Sequence, residues 1–507
     1  METLNAIASG FAVALTFQNI VFVLIGVILG TIVGMLPGIG PAAGIGLLLP
    51  LTFGLDPVGS LIMLAGIFYG SQYGNTISAV LLNTPGTGSS VMTAIDGHKM
   101  ALAGRGGSAL AIAAIASFTA GMTGAVLLSL LSVPFAGFAL RFGPPEYFML
   151  MLFGLTAVGA LGGNSPAKGM LAVVIGLAIT TIGADLQTGS QRFTFGYSAL
   201  YEGIAFIIVV VGVFAFGQSL YNVERLTQGT LRPLPIRGSI WFTRDEWRRS
   251  VKPIGRGSII GFLVGVLPGA GATIATVFAY SVERSVSKTP ERFGKGAVEG
   301  VAAPEAANNA ATCGSFVPLL TLGVPGSGVT AVLLGAFIMY GIMPGPMLFQ
   351  NNPDVVWGLI NSMYIGNLML LILNIPLVPL FARILYMPPA LLVPMILMIA
   401  TAGVYGLNGS PFDLLLMLGV GVLGYFFRVA SIPIAPFILA CVLGGMLEQR
   451  FRQSMTISGG DASIFLHSTI TVVLFAMIVG VVGLSVVLAV RRARQRAAAR
   501  LTGAATR

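Results

Sequence analysis

The sequence predicts an all-α polytopic membrane protein. Three observations predict it: only 9% of the 507 residues are charged against 55% hydrophobic, apolar runs recur from end to end, and Gly/Pro motifs of the first half return in the second. An ordinary soluble domain carries about a quarter charged residues. The runs Phe11 to Val33, Leu110 to Val133 and Ile464 to Val490 are long enough to cross a hydrocarbon core of about 30 Å as helices. Leu171 to Ile182, Ile204 to Phe216 and Leu368 to Phe381 reach that length with their flanks. A β-barrel needs short alternating segments, and none is visible.

Along the chain, Glu2 is the only charge before Asp56 and residues 1–98 hold no Lys or Arg. A cleavable signal peptide needs a basic start, so the first helix is expected to be retained. The basic residues cluster instead: 8 of 27 between Arg225 and Arg256, 4 between Arg284 and Lys295, and 6 between Arg491 and Arg507. Such clusters beside apolar segments mark cytoplasmic loops and contact anionic membrane lipid. The net charge of +10 is thus a topology signal, with no nucleic-acid partner expected. Cys313 and Cys441 stand apart, and His98 and His467 are the only histidines. No disulfide framework, metal site or hydrolase motif is expected, so the chain is not read as an enzyme.

The duplication gives the organisation. GMLPGIG at 34–40 returns as GVLPGAG at 265–271, PGTG at 85–88 as PGSG at 325–328, Pro144-Pro145 as Pro388-Pro389, and Ser165-Pro166 as Ser410-Pro411. The order is kept and the offset drifts slowly. The expected parts are a first membrane repeat at 1–222, a basic cytoplasmic linker at 223–256, a second repeat with an extra span at 257–490, and a basic cytoplasmic tail at 491–507. With the N-terminus outside and the linker inside, the first repeat crosses an odd number of times and the second is inverted. Inverted repeats with a site between them are a recurrent transporter design.

Helix breaks in a membrane are tolerated where they are buried or line a cavity. Each repeat has an LPG break, with Gly38 and Gly269, and a PGxG break. The first PGxG segment is Asn83, Thr84, Pro85, Gly86, Thr87, Gly88 and Ser89; the second is Pro325, Gly326, Ser327 and Gly328. Glycine admits a ligand close to the backbone, and free N–H groups at a helix start attract anions. The segments before these breaks carry polar stripes at helical spacing: Tyr69, Gln72, Tyr73 and Thr76, then Glu305, Asn308, Asn309 and Thr312. Polar stripes in an apolar bundle face its interior or a water path. Asn75, Asn308 and Asn309 offer amide donors and carbonyl acceptors, and opened carbonyls near them would complete a sodium site. Glu305 reads as a proton carrier, a cation ligand, or a carboxylate serving local backbone donors. Asp96 reads as part of a membrane-edge turn, and Asp185, Arg192, Arg383 and Arg428 as interfacial anchors.

GMLPGIGP, YGSQYGNTISAVLLNTPGTGSS with AIDGHKMA, PEAANNAAT, and LLTLGVPGSGVTAVLLGAF leading to GIMPGPMLF together resemble the large membrane subunit of the tripartite tricarboxylate transporters, the TctA family. The resemblance runs from about residue 15 to 480. It implies a multi-pass bacterial inner-membrane secondary transporter of about 12 spans, with no cofactor beyond a coupling sodium ion or proton. It implies a small membrane subunit and a periplasmic solute-binding protein as partners, and citrate or a related carboxylate as substrate. The family's motif positions fall on Pro37, Gly38, Asn83, Pro85, Gly86, Asp96, Gly97, Pro268, Gly269, Pro304, Glu305, Asn308, Asn309, Pro325 and Gly326. Thr87 and Gly88 stand at a variable tip, and His98 replaces an aromatic residue. Alternating access at a site between the PGxG turns is the expected mechanism. An anion channel on the same helix starts is the alternative, with a membrane enzyme or a non-transporting scaffold behind it.

Overall fold

The computed structural model describes residues 2–36, 39–161, 165–185, 187–225, 234, 239–269, 271–385 and 389–504. The first helices are α1 (Glu2–Ala14), α2 (Phe17–Met35), α3 (Gly40–Leu48), α4 (Pro57–Leu82), α5 (Val91–Leu102), α6 (Gly106–Ala139), α7 (Pro144–Leu161) and α8 (Pro166–Thr180). Then come α9 (Phe206–Val211), α10 (Gly217–Arg225), α11 (Arg244–Val266), α12 (Gly271–Val286), α13 (Glu299–Leu322), α14 (Gly328–Met339) and α15 (Leu348–Asn351). The last are α16 (Pro353–Asn374), α17 (Val378–Ile384), α18 (Pro389–Asn408), α19 (Pro411–Val429), α20 (Ile434–Ile457) and α21 (Thr469–Ala504). A two-stranded antiparallel hairpin pairs Gly183–Ala184 with Gln191–Arg192, a local departure from the all-α expectation.

Among the described residues, seven helical segments are long and apolar enough to cross a membrane, fewer than the twelve expected. The reason is local. Pro and Gly breaks cut apolar stretches into pieces such as α3 and α14, too short to cross alone, and α4 and α13, 26 and 24 residues long, are too polar along their stripes to count. Helix α11 begins inside the segment expected as linker, because Thr243 and Glu246 form a reciprocal capping box at its start.

The chain forms two compact units, residues 1–140 with 205–426, and residues 141–204 with 427–507. The first is built on two buried helices, α4 and α13, whose residues 59–81 and 299–321 lack exposed surface. Helix α2 packs on α4 and α11 on α13; α6 lies against α13 and α16 against α4. Close approach requires glycine. A Cβ on Gly26, Gly30 or Gly34 of α2 would strike backbone of α4, and one on Gly257, Gly261 or Gly265 of α11 would strike backbone of α13. This four-residue spacing of small side chains lets helix backbones touch where lipid supplies no hydrophobic drive. Thr76 meets Glu305 and Phe68 meets Phe316, so α4 and α13 run in opposite directions.

In the second unit α7, α8 and α20 pack together, with α21 against α7. Its hairpin bears an ion cluster in which Arg192 and Arg452 each pair with both Asp185 and Glu448. A cavity of about 460 Å³ opens beside it, with Thr180, Tyr201 and Gln449 among its lining residues. The expected anchors Asp185 and Arg192 are thus partners in one network.

Candidate functional site

The two PGxG segments begin alike. Helix α4 ends on Asn83 and α13 on Gly323, both left-handed at φ 52° and 68°, the conformation that ends a helix on Asn or Gly. Asn83 is exposed and serves as this cap. The chain then turns back through Thr84-Pro85-Gly86-Thr87, or through Val324-Pro325-Gly326-Ser327. A Cβ on Gly86 would collide with the Gly34 carbonyl and crowd the Asn75 side chain; one on Gly326 would crowd the Gly265 carbonyl and Ser315. Each turn therefore approaches the end of the helix that precedes the LPG motif of its own half, at Gly34 in α2 and Gly265 in α11. Gly269 N–H donates to Gly326 O at 3.0 Å. The expected counterpart at Gly38 lies outside the described residues.

Polar side chains fix the first turn. Asn75 Nδ2 donates to Thr87 Oγ1 at 2.7 Å and to Gln72 Oε1 at 3.2 Å. Ser89 lies 2.8 Å from Thr87 Oγ1 and donates to Gln72 Oε1 at 3.3 Å. In the second turn Ser327 and Thr330 cap the start of α14 reciprocally.

The two halves then meet. A Cβ on Gly88 would press on Thr273, in the first turn of α12; Gly40, at the start of α3, faces Thr87, and Gly271, at the start of α12, faces Ser327. The beginnings of α3, α12 and α14 and of the short turn before α5 thus lie side by side. Their free N–H groups concentrate positive potential. No Lys or Arg stands within residues 34–43, 84–90, 268–273 or 325–330.

The polar stripes lie beside these turns and are buried. Asn308 has neither amide atom bonded, and Asn75 Oδ1, Asn309 Oδ1, Tyr73 Oη and Thr84 Oγ1 also lack partners. These buried amide and hydroxyl atoms remain available to a water, an ion or a ligand. Asn309 Nδ2 donates to the Glu305 carbonyl and Thr312 to that of Asn308. The Glu305 carboxylate accepts from Thr76 at 2.7 Å, Thr93 at 2.5 Å and Ser117 at 3.3 Å. It therefore serves side-chain hydroxyls of three other helices, not local backbone donors as one expectation had it. Thr93, Ser117 and Thr273 were not singled out in the sequence. Nothing in their local spacing marks them, because each acts on a residue more than 180 positions away.

Asp96 corrects another expectation. It lies within α5 and is fully buried, its Oδ1 accepting from Gly294, Gly296 and Ala297 N–H and its Oδ2 from Tyr280 Oη at 2.8 Å. The three amides come from the loop that leads into α13. Asp96 is a clasp between elements, not part of a turn at the membrane edge.

The family model "Tripartite tricarboxylate transporter TctA family" matches residues 20–439. The chain belongs to the TctA family. An uncharacterized 52.8 kDa protein of the TAR-I ttuC' 3' region of Agrobacterium vitis is 45% identical over 496 residues, covering 98% of this chain and 99% of that protein. A second uncharacterized protein, of the TAR-II ttuC' 3' region of the same organism, is 48% identical over 218 residues, 43% of this chain and 90% of that protein. No solved structure matches. As a TctA-family chain this is a multi-pass membrane subunit of a tripartite tricarboxylate transporter.

Proposed function

We propose that this TctA-family chain is the permease of a secondary importer in the bacterial inner membrane, working with a small membrane subunit and a periplasmic solute-binding protein. Its substrate is citrate or a related di- or tricarboxylate, moved with a sodium or proton gradient. The observation behind this reading is the meeting of helix starts from both halves at hydroxyl-bearing turns that hold no basic side chain. A carboxylate there is met by backbone N–H groups, hydroxyls and amides. Its remaining charge is offset by a co-transported cation.

The opposite directions of α4 and α13, and the corresponding placement of Gly86 against Gly34 and of Gly326 against Gly265, support two inverted repeats. Such halves present one site alternately to the two sides. The site comprises Thr84, Pro85, Gly86, Thr87, Gly88 and Ser89 with Pro325, Gly326, Ser327 and Gly328. Asn75, Asn308 and Asn309 lie alongside, and Gly38 and Gly269 stand in the adjoining breaks.

Uptake of labelled di- and tricarboxylates into proteoliposomes with the small subunit tests this reading. Each compound is offered with and without binding protein and with and without ion gradients. Saturable accumulation above equilibrium, dependent on binding protein and gradient, is expected. Flux that only equilibrates would identify an anion channel instead.

A further inference from the structure

We infer that Glu305 is the group that loads and releases a coupling proton, exchanging it through the Thr76 and Ser117 hydroxyls with a small, water-sized cavity beside them. This rests on the carrier reading above and assigns its driving ion. Glu305 has no exposed surface. Its contacts are the hydroxyls of Thr76 on α4, Thr93 on α5 and Ser117 on α6. An ionised carboxylate so placed is a buried charge without a countercharge, which costs several kcal/mol in effective terms.

The charged groups on the packed helices are engaged elsewhere or exposed. Asp96 is held by Tyr280 and three amides. Arg249 pairs with Glu299, Arg256 with Glu283 and Arg105 with Glu246. His98 Nδ1 lies 2.9 Å from the Val80 carbonyl; Lys99, Arg248, Lys252 and Arg284 are exposed. Helices α4, α6 and α14 carry no charge. Tyr73 shares the cavity with Thr76 and Ser117.

The geometry favours a proton over a metal ion. Thr93 and Thr76 oxygens sit 2.5 and 2.7 Å from the carboxylate, direct hydrogen bonds that leave no gap for an ion between them. The hydrogen bonds can also reverse without moving heavy atoms. Thr76 Oγ1 lies 3.2 Å from the Gln72 carbonyl. When a proton arrives on Glu305 Oε2, that acid donates to Thr76, and the Thr76 hydrogen turns to Gln72 O; release runs the same way backwards. The cavity, about 10 Å³, has Tyr73, Thr76, Ser117 and Asn374 as the polar members of an otherwise apolar lining that includes Ile77 and Leu110, and has room for about one water. Tyr73 Oη and Asn374 Oδ1, both on buried side chains, have no protein partner there.

The same bonds reach the substrate turn. Gln72 Oε1 accepts from Asn75 and Ser89, and Asn75 holds Thr87. Thr93 lies on the helix that this turn opens. Protonation of Glu305 therefore acts on the position of the first PGxG turn, with Thr76 as the positioning residue.

The test is infrared titration of the purified full-length protein, followed by proton flux in proteoliposomes. Wild type is expected to show a carboxylic-acid carbonyl band that titrates between about pH 5 and 9. The band should be absent in Glu305→Gln, retained with a moved midpoint in Glu305→Asp, and shifted by about one pH unit in Thr76→Val. Carboxylate added with the binding protein should acidify wild-type vesicles that also contain the small subunit, and leave the matching Glu305→Gln vesicles unchanged. Persistence of the band or of acidification in Glu305→Gln overturns the inference. So does loss of the wild-type band on adding sodium but not potassium at fixed pH, which would make the cage a sodium site. The titration needs no substrate, so an intact band in a protein that moves no carboxylate would refute the carrier reading alone.

Discussion

At the scale of single residues, two carboxylates show how partners set a role. Asp96 accepts three backbone N–H groups on one oxygen and a phenol on the other. Asn keeps one such oxygen, and its amide can donate to Tyr280, whereas Ala leaves all four donors bare. Asp96→Ala is therefore expected to lower unfolding stability by about 3 kcal/mol or more and Asp96→Asn by much less, read from thermal melts in detergent. Equal losses would show that the clasp is not hydrogen-bonded as described. At the first PGxG turn, Asn75→Ala removes one donor each from Thr87 and Gln72 and leaves Ser89 as their remaining side-chain partner. A rise of about tenfold in the KM for uptake is expected with little change in folding, and an unchanged KM would remove Asn75 from the site. The sequence marked Asn75 for its amide donor and acceptor, yet it could not show that its partner is Thr87, twelve residues on across a turn.

At the scale of elements, the glycine rows of α2 and α11 fix where α4 and α13 can sit. Gly30→Ala puts a methyl onto the Ile67 backbone, and Gly261→Ala puts one onto Ala307. Each is expected to cost about 1–3 kcal/mol. Gly137→Ala in α6 meets open space and is expected to be neutral or slightly stabilising. Detergent melts of the three variants check this, and equal behaviour would contradict the close packing. The hairpin adds a pH dependence. Backbone N–H groups of Thr188 and Gln187, with the Arg452 guanidinium, hold the Asp185 carboxyl well below the usual carboxylate range. A depressed value means that its stabilisation is complete above the unfolded carboxylate range, about pH 4, and is lost as pH falls further. Hydrogen exchange of residues 183–192 should speed up below that pH in wild type and be flatter in Asp185→Asn. The rows Gly26, Gly30, Gly34 and Gly257, Gly261, Gly265 were not singled out in the sequence, where 68 glycines hide the few that meet backbone; nor was the hairpin, since two residues per strand leave no alternation to detect.

At the scale of the whole molecule, topology is the open arrangement that experiment reaches most directly. Helix α21 runs unbroken for 36 residues, about 54 Å at 1.5 Å per residue, more than a bilayer's hydrocarbon core. The segment 458–468 and the arginine-rich tail are therefore expected on opposite sides, with the tail cytoplasmic. A cysteine placed at Ser458 should react with an impermeant thiol reagent from outside and one placed in the tail only after lysis; the reverse pattern would invert the orientation of the chain.

The sequence by itself determined the membrane class, the helix breaks, the duplicated motifs and, through them, the family. These are properties of composition and of short segments, where charge cost, glycine and proline act locally. Only the tertiary structure decided that Gly88 meets Thr273, that Asp96 clasps the entry to α13, and that Glu305 answers to hydroxyls on three other helices. Each of those depends on residues separated by some 180 positions or more. Such contacts arise when helices pack, because burying a polar group forces it to find a partner wherever the neighbouring backbone brings one within hydrogen-bond reach.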